Sequence, residues 1–259
     1  MNKSLSRVST LTLFLLALSI SQAHAATVSL LDHFDDGNIA TNTGLGGIGS
    51  GFTTSYVDCG SGMGVSASEA NGNATVSGAS CVHWMQSNDA IDPTDTTMVW
   101  SITSRPSATS TGVMVGWTQA GKDACCDTGI VLAVEGHRVT FGVQTGNAWQ
   151  PQSRFFEILA GSTTPNEVYD GYTSAPLTAI ISISSAGWSV SLVGAGVDIH
   201  KSGSYSSCPN PVGGQCVSLS DVLTYPGVNG TLRPFGGAFR ENDSATFDSV
   251  LVISNPLVP

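Results

Sequence analysis

The chain has 259 residues, 30 of them glycine, with 11% charged residues and a formal charge of −10. Acidic surfaces repel phosphate backbones, which argues against nucleic acid as a partner and disfavours anionic membranes. A hydrophobic fraction of 41% argues against disorder, and the length suits one large β-sandwich as well as two smaller domains.

In chain order, the first segment carries Lys3 and Arg7, then the apolar run "LTLFLLALSI", then the small-residue exit "SQAHAA". That order of regions marks a secretory signal over residues 1–25, with cleavage after Ala25. The run is too short for a spanning helix, which needs about 20 apolar residues, and no later stretch approaches that length. Residues 26–259 are therefore expected to be exported, to the extracellular space or a periplasm, with no membrane span.

Next comes "LLDHFDDGN", Leu30 to Asn38, which places Asp32, His33, Asp35 and Asp36 behind an apolar lead. As a calcium loop of the EF-hand kind it fails, because no Glu closes a loop of about 12 residues begun at Asp32. Read locally it is a turn, with Asp35, Asp36 and Asn38 bonding their own backbone ahead of Gly37.

Beyond it, short β-rich segments alternate with Gly, Ser, Asn and Asp. "TMVWSITS" sets Met98, Trp100 and Ile102 against Thr97, Ser101 and Thr103, and "GVMVGWTQ" reads as a buried run. Three hairpins are predicted. The first turns at Glu135-Gly136-His137 and the second at Ser185-Ala186-Gly187. The third, in "FGGAFRENDSATFDSVLVIS", turns at Glu241-Asn242-Asp243. "HKSGSYSSCPNPVGGQC" reads as a long loop tied by a disulfide. No long amphipathic helix, repeat or linker stands out, so one all-β domain, a two-sheet sandwich or a barrel, is predicted over residues 26–259.

The 6 cysteines are Cys59, Cys81, Cys125, Cys126, Cys208 and Cys216. Export and an even count favour disulfides. Locality pairs Cys59 with Cys81 and Cys208 with Cys216, leaving the adjacent Cys125 and Cys126. Neighbouring α-carbons stand about 3.8 Å apart, closer than the roughly 4.4–6.8 Å of ordinary bridges. The alternative sends Cys125 or Cys126 to Cys208 or Cys216.

Four phrases together resemble a laminin G-like or concanavalin A-like jelly roll, a two-sheet antiparallel sandwich. They are "LLDHFDDGN", "STGVMVGWTQAGKDACCDTGIVLAVEGHRVTFGV", "LTAIISISSAGWSVSLVGAG" and "FGGAFRENDSATFDSVLVIS". They occur in that order from Val28 to Ser254. The resemblance implies adjacent first and last strands, so that Asp32, Asp35 or Asp36 would approach Asp248, and a structural calcium at that seam. The superfamily holds glycan-binding lectins, adhesion modules, glucanases and polysaccharide lyases, so the fold does not choose a function.

The catalytic signatures of those branches are missing. The glucanase device is E-x-D-x-x-E on one strand, and none of Glu69, Glu135, Glu157, Glu167 or Glu241 begins such a phrase. The alginate-lyase branch needs an Arg-Glu-Arg-type strand, a Gln-x-His and a Tyr/Lys-rich strand. Here "HWMQ" has His83 and Gln86 in reverse order, and only Lys122 and Lys201 follow the leader. No G-x-S-x-G stands at a strand–helix elbow, and His33, His83, His137 and His200 are scattered singly, unlike zinc ligands.

Binding needs less. Sugar faces pack on aromatic rings while hydroxyls meet polar side chains. The candidate contacts are His83 and Trp84 in "CVHWMQ", and Trp149, Gln150 and Arg154 in "NAWQPQSRFF", which reads as a polar loop rather than an alternating strand. Trp100, Trp117 and Trp188 sit in strand patterns and are assigned to the core. The final Val258-Pro259 matches part of the Val-Pro-Glu-Pro motif of exosortase-sorted bacterial proteins, without the anchor that follows it there. The expectation is a secreted, non-catalytic protein that binds glycan or another extracellular surface ligand. Its rivals are a carbohydrate-active enzyme with an atypical site, built on Glu135, His137 and Arg138, and a structural matrix or envelope protein.

Overall fold

The computed structural model describes residues 26–57, 64–79, 82–106, 111–119, 128–147, 150–161, 175–208, 216–239 and 243–254. Its strands are β1 (Thr27–Asp32), β2 (Phe52–Val57), β3 (Val65–Glu69), β4 (Ala74–Gly78), β5 (Val82–Ser87), β6 (Thr96–Ser104), β7 (Gly112–Thr118) and β8 (Gly129–Glu135). They continue with β9 (Arg138–Asn147), β10 (Gln150–Gly161), β11 (Leu177–Ile183), β12 (Gly187–Gly194), β13 (Val197–Ser204), β14 (Arg233–Phe239) and β15 (Asp243–Ser254). A helix of one turn, α1 (Leu219–Leu223), precedes β14 and is closed by a capping box between Ser218 and Asp221.

The strands form two antiparallel sheets. An 8-stranded sheet runs β13-β12-β11-β6-β15-β4-β3, with β1 also paired to β15, and a 7-stranded sheet runs β10-β9-β8-β7-β14-β5-β2. The expected all-β sandwich is therefore what the chain forms. Alternation explains the register: β6 buries Thr96, Met98, Trp100 and Ile102 and leaves the residues between them half-buried. The hairpins β8–β9 and β11–β12 form as read from the sequence. The first and last strands are neighbours, with Asp32 opposite Val250.

Three sequence readings change. The third predicted hairpin does not form, because β14 has both edges taken by β5 and β7 while β15 lies in the other sheet between β6 and the β4–β1 side. A turn signal marks a change of direction, and here the chain also changes sheet. The stretch from His200 is not loop throughout: His200–Ser204 complete β13, and a 3₁₀ turn at Tyr205–Ser207 follows, with Ser204 as its cap. The Cys208–Cys216 bridge is present, with its α-carbons 5.6 Å apart. The other four cysteines lie outside the described residues. Finally, "NAWQPQSRFF" is not a polar loop, since Gln150 opens β10 and Arg154 pairs in register with Gln144.

The core between the sheets is built around Trp100. Phe34 stacks on it at 6.4 Å, Phe52 meets it at 6.2 Å and Phe247 at 4.9 Å, all four rings fully buried. The 7-stranded sheet is also covered on its outer face at β5, β7 and β14, where Val82, Trp84, Met114 and Phe235 form a second buried cluster. That two-sided burial accounts for β5 and β7 being buried at every position. Adjacent glycines in β14 make room for a tryptophan on each face. A Cβ on Gly236 would stand 3.0 Å from the Trp100 ring, and one on Gly237 would stand 2.5 Å from Trp84 Cβ.

Candidate functional site

The first acidic phrase is organised by its aromatic residue. Phe34 adopts a left-handed backbone, φ 50°, which an L-residue holds only when its surroundings demand it. Its ring goes into the core, and Asp32 Oδ1 accepts the Phe34 N–H at 2.8 Å. Asp36 closes the following turn: its Oδ1 accepts from Asn38 N at 2.9 Å, and its Oδ2 from Thr43 N at 2.7 Å. The Thr41 and Thr43 hydroxyls also donate to Oδ2, at 2.8 and 2.9 Å. Asn38 Oδ1 accepts from Ala40 N. Asp35 is exposed and lies against the space where Gly44 would carry a Cβ.

The acid that joins this group is Glu69, at the end of β3, which the sequence reading did not select. Its Oε1 accepts Gly37 N–H at 2.8 Å, tying the loop to the sheet edge. Nothing local in "SASEANGN" announces a partner 32 residues away. Burial, with the charges of Asp36 and Asp35 adding to it, raises the Asp32 carboxyl to about 6 against the pull of the Phe34 N–H. Burial likewise raises Glu69 to about 7, with Asp36 and Asp32 as its charged neighbours. Burial acts on Asp36 too, but the N–H groups of Thr43 and Asn38 and the two threonine hydroxyls outweigh it and hold the carboxyl well below its ordinary range. Asp32 Oδ2 and Glu69 Oε2 are buried without a hydrogen-bond partner.

Asp248, half-buried in β15, lies two residues along that strand from Val250, the residue opposite Asp32. Both Asp36 oxygens are engaged by backbone and hydroxyl donors. Among the described residues, no three His, Cys, Asp or Glu side chains are placed to hold a metal ion. The arrangement is a turn lock.

The binding candidates divide between the two faces of the 7-stranded sheet. His83 points between the sheets, fully buried, with Nε2 2.9 Å from the Asp243 carbonyl and its ring beside Gly78 of β4. Trp84 lies on the outer face but is also fully buried, beneath the Phe235 cluster, and its Nε1 has no hydrogen-bond partner. An enclosed indole offers no free face for a sugar to stack on. Neighbouring polar groups are used internally: Gln86 Nε2 donates to Gln119 O at 3.0 Å, and Arg233 Nη1 to Ser87 O at 2.8 Å. Trp149 lies outside the described residues. Gln150 and Arg154 take backbone positions on β10, at the sheet edge.

At the opposite end of β8, the residues named for an atypical enzyme do come together. Glu135 Oε2 accepts from Arg138 Nε and has His137 Nε2 at 3.8 Å. Arg105, just past β6, joins them; burial lowers its guanidinium to about 10, partly offset by the Glu135 charge. The sequence reading did not select Arg105.

No family model matches the sequence, and no curated protein is similar to it. Solved structures do match. One, from work on endo-acting O-glycanases of the human gut microbiota, has a TM-score of 0.53 at 11% identity, over 88% of this chain and 99% of that one. A β-1,3-glucanase from Mycobacterium marinum has a TM-score of 0.52 at 13% identity, over 87% and 98%. The exoplasmic/lumenal domain of VIP36, in a calcium- and mannose-bound form, has a TM-score of 0.50 at 8% identity, over 90% and 93%. Such identities speak for the fold alone, and they support the concanavalin A-like half of the resemblance, not the laminin G-like half. With two antiparallel sheets, adjoining first and last strands and these structural neighbours, the chain has a concanavalin A-like jelly-roll fold.

Proposed function

We propose that the protein is exported, folds as one domain over residues 26–259, and binds extracellular carbohydrate without cleaving it. The observation that carries this reading is the make-up of the 7-stranded sheet. Across its strands the acidic residues are Glu135 and Glu157 alone. Retaining glycosidases set two carboxyl groups about 5–5.5 Å apart across one bond. Here Glu157 stands level with Phe141 and Leu132, whose side chains face the other sheet, whereas Glu135 follows Val131 and Ala133 on the outer face. Glu135 is also already ion-paired with Arg138.

The matched glucanase and mannose-bound lectin support carbohydrate as the ligand class. Trp149, Gln150 and Arg154 are the proposed contacts, with Gln144 beside Arg154 in register. His83 and Trp84 serve the packing instead. The test is a glycan array with the mature protein, run with and without calcium because the VIP36 match is a calcium-bound form, alongside assays for new reducing ends and unsaturated uronates. Binding without turnover supports the reading. Turnover would assign the enzyme alternative, and silence on every glycan would overturn both.

A further inference from the structure

Arg105 is 7% exposed, and its Nε, Nη1 and Nη2 atoms are all buried without a hydrogen-bond partner. A guanidinium presents five N–H donors and keeps its charge, and folded chains almost never bury such a group unpaired. The acid whose charge acts on it, Glu135, already accepts from Arg138 Nε. Two guanidinium charges thus act on one carboxylate, leaving a local positive charge in a chain whose formal charge is −10. The corner is not sealed: the Arg138 side chain is 27% exposed and that of Glu135 11%.

We propose that this corner receives the anionic group of an acidic sugar, a carboxylate or a sulfate ester. The inference rests on the carbohydrate-binding reading and names the class of sugar. The fork of a guanidinium donates two parallel N–H bonds to either anion. Glu135 accepts from Arg138 Nε, and an anion bound at the partly exposed Arg138 would bring its charge to the mouth of the corner in which Arg105 is buried. A neutral sugar offers only hydroxyls there and leaves the guanidinium uncompensated.

The test is calorimetric titration of the mature chain with a panel in which each neutral hexose oligomer stands beside its uronate and its O6-sulfated counterpart. Uronate or sulfated oligomers are expected to bind at least about tenfold more tightly than the neutral ones, the scale of one charge-assisted hydrogen bond. Which of the two is preferred names the anion. High salt should erode that preference, and Arg105→Met and Arg138→Gln should each abolish it in protein whose melting curve shows it folded. Equal affinity for neutral and acidic oligomers overturns the inference and leaves the carbohydrate reading standing, as does an acidic preference that survives both substitutions. Failure of every glycan on the wider array overturns both.

Discussion

At the β1–β2 connection carboxylates are buried among backbone donors, while beside the end of β8 a guanidinium is buried with nothing to bond. The acidic loop is self-contained. Asp32 takes the Phe34 N–H, Asp36 takes those of Asn38 and Thr43, and Glu69 takes that of Gly37. The carboxyls of the oxygens left over, Asp32 Oδ2 and Glu69 Oε2, can shed their charge by taking up a proton, because burial has raised them to about 6 and about 7. Arg105 has no such recourse, since at about 10 it stays charged throughout the physiological range. The loop that drew attention in the sequence thus reads as structure, and the arginine that did not draw attention reads as a place for a ligand.

The largest expected effect tests whether the acidic loop is held by its aromatic residue or by its charges. Phe34→Ala removes a fully buried ring from the Trp100 cluster and should cost about 3–5 kcal/mol in urea unfolding. A loss under about 1 kcal/mol would show that the loop does not depend on that anchor. Next comes pH. The folded values of Asp32 and Glu69 lie above their ordinary 3.8 and 4.5, so the folded chain holds protons that the unfolded chain releases. That stability is complete below about pH 4 and is lost as pH rises through 6 and 7, on the order of 2–4 kcal/mol for the coupled pair. Glu69→Gln should flatten the dependence, and a melting point that instead climbs from pH 5 to 8 would refute the protonated pair. Millimolar calcium should not restore stability at pH 8; if it did, the pair would be cation ligands after all. Third, Asp36→Ala should cost about 1–2 kcal/mol through its lost turn bonds, with Asp36→Asn recovering part of it. Equal losses in the two variants would mean that the charge, not the bonding, matters.

Sequence reasoning reached the parts of this fold that follow a period. β6, the β8–β9 and β11–β12 hairpins and the buried run of β7 all declare themselves by alternation or apolar density. β2 to β4 do not, because "FTTSYV", "VSASE" and "ATVSG" are rich in Thr, Ser and Gly on strands that are each partly exposed. β10 was hidden by Pro151 and its polar neighbours; it lies at a sheet edge, where a missing N–H is tolerated. The site was less legible still. Glu69 and Arg105 owe their roles to neighbours distant in sequence. Trp84 was a candidate contact in "CVHWMQ", yet it is enclosed on the outer face of its sheet, and no local pattern distinguishes a ligand-facing strand surface from one covered by its own chain.

The smallest expected effect is also the one that separates the two regions most cleanly. Arg105→Met keeps most of the aliphatic stem and deletes a buried charge that has no hydrogen bond to lose. Replacing an uncompensated buried ion by an apolar side chain of similar volume is neutral or stabilising. The melting temperature should therefore hold or rise by about 2–4 °C, as expected for roughly 1 kcal/mol in a domain of this size. A fall of several degrees would mean that Arg105 supports the fold, and the corner would then resemble the acidic loop. A rise in stability coupled to loss of acidic-sugar preference would show that this corner carries an unpaired charge for the sake of binding, something the carboxylates around Phe34 do not do.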